Sequence, residues 1–268
     1  MTEPIRVAVH GAAGRMGRRV VALAAQDPNF EIVAAIEHAD CSDLGHDAGL
    51  LAGIPAVDVP VASQWPGFAD AVIDFSLPSA VDGVIANCIA AKIPLVMATT
   101  GLSTEQKNQL AEAAKSLPIV WAPSMSLAVN LTMKLAQQVA ATLKDVPGGM
   151  DVEILERHHR YKADAPSGTA LRFGELIAQQ LGDDIRHVHG REGETGQRSR
   201  NEIGYHAIRV GDNPGEHTIV FGMLGEKIEL NVGASNRDCY ASGALTAAKF
   251  LKDRQPGLYS MFDVLGLS

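Results

Sequence analysis

Short apolar runs alternate with amphipathic ones along the first half of the chain. Residues 5–10 (IRVAVH) are rich in branched side chains, the pattern of a strand buried on both faces. After a glycine-rich turn, Val20, Val21, Leu23 and Ala24 recur at helical spacing. Further strands are expected at 31–37, 71–76, 94–99 and 119–122. Between them lie a helical run from Pro78 to Lys92 and a helix through Lys115, which Ser103 and Gln106 open with a capping-box pattern. Residues 41–68 are irregular, with a minor strand near 56–61. Ser126 is placed to cap a long helix in which Leu127, Leu131, Leu135, Val139 and Leu143 recur at every fourth position, read as a stripe packed on the core. Strands alternating with helices predict a parallel, doubly wound sheet with right-handed crossovers.

After Pro147, Gly148 and Gly149 the pattern changes. Val152 and Ile154 alternate with Asp151 and Glu153 as a strand, and a helix from Thr169 carries Leu171, Leu176, Ile177 and Leu181. A polar, glycine-rich stretch follows at 190–201, then strand-like runs at 203–210, 217–223 and 226–232 that suggest an antiparallel or mixed sheet. The last helix, around 241–252, is expected to pack back on the first domain. The fold class is α/β: a Rossmann-like doubly wound sheet with a second, α+β domain. The expected dinucleotide-binding domain is 1–126, completed by 237–268, and residues 127–236 form the substrate-binding and oligomerisation domain.

Composition narrows the function. With 46% hydrophobic and 20% charged residues and a net charge of −8, the 268-residue chain is an ordinary globular one, without the basic surface that nucleic acid or membrane binding needs. Cys41, Cys88 and Cys239 are widely spaced and odd in number, which indicates neither a disulfide framework nor a thiolate zinc site and fits a cytoplasmic location. No export signal, membrane span or metal site is expected.

Two stretches carry chemistry. Gly11, Ala12, Ala13, Gly14, Arg15 and Met16 lead from the first strand into a helix, and with Gly17 they give G-x-x-G-x-x-G, a variant of the spacing that lets backbone amides approach a pyrophosphate. Glu37, 20 residues after Gly17 at a strand end, suits a carboxylate accepting from the adenosine ribose. His38 follows it, and it grips a 2′-phosphate less well than a bidentate guanidinium, so NADH is expected to be used well, with NADPH possible through Arg15 or protonated His38. Ligands of such sheets bind beyond strand C-termini, which brings in the turns at 74–78, at Ala98, Thr99 and Thr100, and at Ala122, Pro123, Ser124 and Met125.

The second stretch is DVEILERHHRYKADAPSGTA, residues 151–170. Arg157, His158, His159, Arg160 and Lys162 reverse the sign of an acidic chain, and Ser167 is a plausible N-cap of a helix whose Gly168 and Thr169 amides point outward. Imidazoles, an ammonium and free amides on one loop describe a pocket for a small polyanion; a solvated basic loop is the competing reading. Crowding by Arg157 and Arg160 is expected to make the loop's proton carriers more acidic.

The opening VAVHGAAGRMGR, the turn ATTG, the segment ERHHRYKADAPSGTA, GREG at 190–193 and GEHTIVF at 215–221 together resemble the dihydrodipicolinate reductase family, in collinear order over nearly the whole chain. The resemblance implies an NAD(P)H-dependent reductase of diaminopimelate and lysine biosynthesis that converts 4-hydroxy-tetrahydrodipicolinate to tetrahydrodipicolinate with loss of water. It implies that His158 and Lys162 transfer the proton, that His159, Ser167, Gly168 and Thr169 hold the dicarboxylate ring, and that the chain assembles as a homotetramer. It also implies that residues 11–16, Glu37, 98–100 and 122–125 line the dinucleotide. Two positions depart from the family pattern: His38 stands where arginine is frequent, and Ser124 and Met125 stand where asparagine and an aromatic residue are usual. A different two-domain dehydrogenase would explain the glycine turn but not the paired histidines with PSGT. A dinucleotide-sensing protein without catalysis would leave His158 and Lys162 without a purpose.

Overall fold

The computed structural model describes residues 3–267. In chain order its elements are β1 (Ile5–His10), α1 (Arg15–Ala24), β2 (Phe30–Ile36), α2 (Ala48–Leu51), β3 (Val61–Ala62), β4 (Ala71–Asp74), α3 (Val81–Ala91), β5 (Leu95–Met97), α4 (Thr104–Ala113), β6 (Pro118–Trp121), α5 (Leu127–Leu143), β7 (Asp151–His158), α6 (Gly168–Leu181), β8 (Arg186–His189), β9 (Glu202–Arg209), β10 (Glu216–Met223), β11 (Glu226–Gly233), α7 (Asp238–Leu251), β12 (Gly257–Tyr259) and α8 (Met261–Val264). The chain divides into two compact units, one running to Leu127 and resuming at Arg237, the other comprising Ala128–Asn236.

The first unit is built on a seven-stranded sheet in the order β12-β6-β5-β4-β1-β2-β3, parallel throughout. Its central strands are buried on both faces, so consecutive residues feed different cores. Val7, Val9, Ile73, Val96 and Val120 pack in the layer that holds α1 and α7, while Ala8, Val72, Leu95, Met97 and Ile119 pack in the layer that holds α3 and α4. The chain leaves β1 in opposite directions toward β2 and β4, so the glycine turn after β1 lies at the switch point of the sheet. The doubly wound sheet expected from the pattern is present. The irregular segment differs in detail: its strand is Val61–Ala62, and it also holds α2, whose cap Asp47 accepts from the amides of Gly49 and Leu50.

The stripe expected on the long helix is a correction. Leu131 and Leu135 are 43% and 47% exposed, and the buried face of α5 is Val129, Asn130, Met133, Ala136 and Ala140. Repeated four-residue steps advance about 40° each around a helix of 3.6 residues per turn, so a strict i+4 series winds off any one face. The buried set mixes steps of three and four and stays in line.

The second unit carries a five-stranded mixed sheet, order β11-β10-β7-β9-β8. β7 and β8 run parallel to β9, and β10 runs antiparallel to β7 and β11. On β7 the buried residues Val152, Ile154, Glu156 and His158 alternate with more exposed ones, and α6 packs over β7 and β9 with Phe173, Leu176 and Ile177 buried. The glycine-rich 190–201 stretch is tied down by charge: Arg191 and Arg198 both reach Glu153, and Arg198 also bonds Asp151 and the carbonyls of Val152 and Glu202. Burial alone would raise the Glu153 carboxyl, but hydrogen bonds from Arg191, Arg198 and His206 outweigh it and pull it down to about 2.

In the first unit, a Cβ at Gly17 would overlap the Gly11 carbonyl and come 2.6 Å from the Ala12 Cα, so α1 can sit this close to the turn only with glycine there. Alanine gains about 1 kcal/mol of helix propensity. Because both sides of the contact are backbone and neither can rotate away, overpacking of about 1–3 kcal/mol wins. Gly17→Ala should therefore lower the unfolding free energy by a net of up to about 2 kcal/mol, read as a lower urea midpoint, and a midpoint above that of the parent chain would refute the close approach.

Candidate active site

The turn after β1 is shaped by backbone constraint. Gly11 has φ +76°, and a Cβ on it would lie 2.6 Å from the Phe75 carbonyl. Gly14 is the N-cap of α1 and supplies no side-chain cap, so the first-turn amides of Arg15, Met16 and Gly17 are open to a ligand, as a pyrophosphate requires. Glu37, just past β2, accepts from the Ala13 amide at 3.0 Å, which fixes its carboxylate at the rim of the turn, and His38 beside it is exposed. Arg18 is committed to the Ala13 carbonyl and Asp43. These groups fit a dinucleotide.

The other expected rim residues divide. Ala12, Ala98, Ala122 and Met125 are buried in the apolar cores, so only their backbones can line a ligand, while Thr100 and Pro123 are exposed and Ser124 is half-buried. Thr99 is buried: its hydroxyl donates to Asp74 at 2.6 Å and accepts from the Ser76 amide at 2.9 Å. His10 Nδ1 lies 2.6 Å from the other Asp74 oxygen, and its ring stacks on Trp65. Among the described residues, the ligand atoms of Glu37, His38 and Cys41 lie within 4.8 Å of one another.

The structure gathers the expected loop residues of the second unit at the end of β7. His158 is 8% exposed and its Nδ1 lies 2.6 Å from Glu156 Oε2. Burial pushes the His158 pKa down, Glu156 pulls it up, and Lys162 and Arg209 add to the downward side. The arginine crowding expected from the sequence is therefore not the cause: Arg157 points to the opposite side of the strand and pairs with Glu216. Lys162 Nζ donates to Asp164 at 2.8 Å. His159 Nδ1 is buried with no hydrogen-bond partner among the described residues. Ser167 caps α6 by accepting from the Ala170 amide, while its own amide donates to Glu156 Oε1. Its hydroxyl also lies 3.1 Å from His217 Nε2. Gly168 and Thr169 thus present first-turn amides, whereas the polar atoms of Ser167 are engaged inside the protein.

Sequence reasoning missed Glu156, Arg209, His217 and Asp164. Glu156 was legible as the next buried position after Ile154 in the strand alternation, a place where a carboxylate demands partners. Arg209 and His217 lie far along the chain and become neighbours only through the register, in which β9 sets Arg209 opposite His158 and β10 sets His217 opposite Glu156. His187 and His189 both lie against Tyr205, one by a 2.6 Å hydrogen bond and the other by stacking.

Comparison with known proteins matches residues 5–125 to the family model for the dihydrodipicolinate reductase N-terminus and residues 128–265 to that for its C-terminus. A 4-hydroxy-tetrahydrodipicolinate reductase of Rhodopirellula baltica is 69% identical over 100% of this chain and 98% of its own length. One from Alkalilimnicola ehrlichii is 46% identical over 98% of this chain and 99% of its own. Among solved structures, a dipicolinate-bound dihydrodipicolinate reductase from Paenisporosarcina superposes with a TM-score of 0.77 at 29% identity, covering 97% of this chain and 98% of that one.

His217 supplies a stability test. Burial, reinforced by His158, pushes its pKa down to about 4, so in the folded chain it stays neutral where an unfolded histidine would begin to protonate. Its contribution is complete above about pH 6.5 and is lost as pH falls toward 4, amounting to about 2 kcal/mol by pH 5. His217→Gln, which keeps a hydrogen-bonding group against Ser167, should flatten the fall of Tm between pH 7 and 5. An equally steep fall in the variant would place the acid sensitivity elsewhere.

Proposed function

The chain belongs to the dihydrodipicolinate reductase family, and from that premise we propose that it reduces 4-hydroxy-tetrahydrodipicolinate to tetrahydrodipicolinate, with loss of water, in diaminopimelate and lysine biosynthesis. One observation carries the reading: a buried imidazole, an ammonium and the uncapped first amides of α6 meet on a single loop. A dicarboxylate ring needs such an arrangement, since each carboxylate must find donors to replace water.

The reduced nicotinamide dinucleotide supplies the hydride. In the first unit the amides of Arg15, Met16 and Gly17 would hold its pyrophosphate, Glu37 would accept from the adenosine ribose, and the turns at 98–100 and 122–125 would line the rest. In the second unit the Gly168 and Thr169 amides and His159 bind the substrate carboxylates, with Ser167 holding the helix start in place. Hydride addition at ring carbon 4, after water has left, creates an enamine that needs a proton on the neighbouring carbon. His158 and Lys162 are the proton-transfer pair. His158 suits the task because the ordinary titration range of an imidazole lies near neutrality, and Lys162, held by Asp164 at 2.8 Å, stands beside it as the second donor.

Glu37 followed by His38, with Arg18 already committed to Asp43, favours NADH over NADPH. Assembly as a homotetramer through the second unit, in the cytoplasm, completes the reading. It is supported by the apolar side chains of Leu131, Leu135, Ile208 and Val210 that this unit leaves exposed.

Three outcomes are expected. The folded protein should oxidise NADH, followed by nicotinamide absorbance, with the condensation product of pyruvate and aspartate semialdehyde; absence of oxidation with either cofactor would sink the assignment. His158→Ala and Lys162→Ala should each lower kcat by about 10²–10⁴-fold with little change in the KM for NADH, and unchanged turnover in both would move the acid elsewhere. His38→Arg should raise kcat/KM for NADPH by about tenfold, a gain of about 1.4 kcal/mol from a charge-assisted phosphate contact; no gain would mean that position 38 does not read the ribose.

A further inference from the structure

The imidazole at the end of β7 is held by a carboxylate two residues earlier on its own strand. Glu156 is 1% exposed, and each of its oxygens faces two donors. Oε2 lies 2.6 Å from His158 Nδ1 and 2.7 Å from one Arg209 terminal nitrogen, and Oε1 lies 2.8 Å from the other Arg209 nitrogen and 3.1 Å from the Ser167 amide. Arginine does not deprotonate in proteins and an amide can only donate, so three of these contacts demand an acceptor. Burial opposes ionisation of Glu156, but hydrogen bonds from Arg209, His158 and the Ser167 amide outweigh it and hold the carboxyl below its usual range. With no proton on the carboxylate, the proton of the 2.6 Å contact must sit on His158 Nδ1 whether the ring is neutral or charged. The proton that comes and goes is then on Nε2.

The surroundings of Nε2 agree. Gly215, with φ +147°, lies beside it, and a Cβ at that position would come 2.8 Å from Nε2. Glycine leaves this nitrogen its space. The other titratable or charged groups around the ring are Arg209 on β9, His217 on β10 and Lys162 on the loop, with Asp164 taken up by Lys162. Glu156 is the anion in contact with the imidazole.

We infer that Glu156 is the positioning residue of the proton-transfer step: it fixes His158 as the Nδ1–H tautomer and so makes Nε2 the nitrogen presented to the substrate. The role rests on the reading of His158 as a proton carrier, but the tautomer does not. Burial works against a charged His158, and Glu156 opposes that cost. A proton donor loses activity as pH rises through its pKa. Removing the anion should therefore bring that loss to lower pH.

Imidazole ¹⁵N–¹H correlation spectra of the whole protein, followed across pH, provide the test. In the unsubstituted chain the neutral His158 ring should carry its proton on Nδ1. A neutral ring protonated on Nε2 would overturn the inference without any variant, so the test survives even if substitution harms folding. In Glu156→Gln the His158 titration should move to lower pH, the descending limb of kcat should move with it, and kcat at neutral pH should fall about ten- to hundredfold at unchanged KM for NADH. Glu156→Asp, which keeps the charge, should recover part of kcat. A limb that stays in place while the His158 resonances shift would overturn the catalytic role. The two possible errors separate: full turnover in His158→Ala overturns the proton-carrier reading, whereas an inactive His158→Ala with a neutral Nε2–H ring overturns the part given to Glu156.

Discussion

The second unit depends on one buried negative charge. An isolated carboxylate as deeply buried as Glu156 would be prohibitively costly, and it is tolerable because a bidentate arginine, an imidazole and a backbone amide surround it. Each of those donors belongs to a different segment: β9, the end of β7 and the start of α6. The same charge that must be satisfied for the sheet to form therefore also fixes where the imidazole and the open helix start stand relative to each other. Removing any one donor leaves the others holding an undercompensated ion, so the site and the fold of this unit are energetically one object.

The first unit uses the same device for a different end. Asp74, fully buried at the end of β4, joins His10 at the end of β1 to Thr99 just past β5, and Thr99 in turn accepts from the Ser76 amide. Three strand ends at the switch-point side of the sheet are thereby tied by one carboxylate, and the glycine turn springs from the first of them. Thr99 binds protein through its hydroxyl and offers a ligand only its backbone. A threonine expected at a rim can thus serve that rim by holding its shape.

The alternation of apolar runs made the sheet legible because a strand buried on both faces has a compositional signature that no surface element shares. The glycine turn and the PSGT helix start were legible because backbone approach and capping are local events, written in consecutive residues. What escaped was set by register or by drift. Arg209 and His217 reach Glu156 only after β9 and β10 have paired with β7, and neighbouring residues do not reveal that pairing. The α5 stripe misled for a geometric reason, since a series of four-residue steps looks periodic in the sequence yet does not close on the helix.

Helix starts show how an acidic chain can bind an anion. At α4, Ser103 and Gln106 form a complete capping box, so that terminus is spent on itself. α1 begins at a glycine with no side-chain cap, and α6 begins at a serine that satisfies the third amide of the first turn while the first two remain open. Those two starts follow β1 and β7, the strands that lead into the glycine turn and the basic loop, and their partial positive charge is fixed by backbone geometry. A net charge of −8 discourages nonspecific polyanions at long range, where screening by salt limits its reach to about 10 Å. Within a hydrogen bond's length the oriented amides and the basic loop decide, so discrimination against large polyanions and a site suited to a small one are compatible in the same chain.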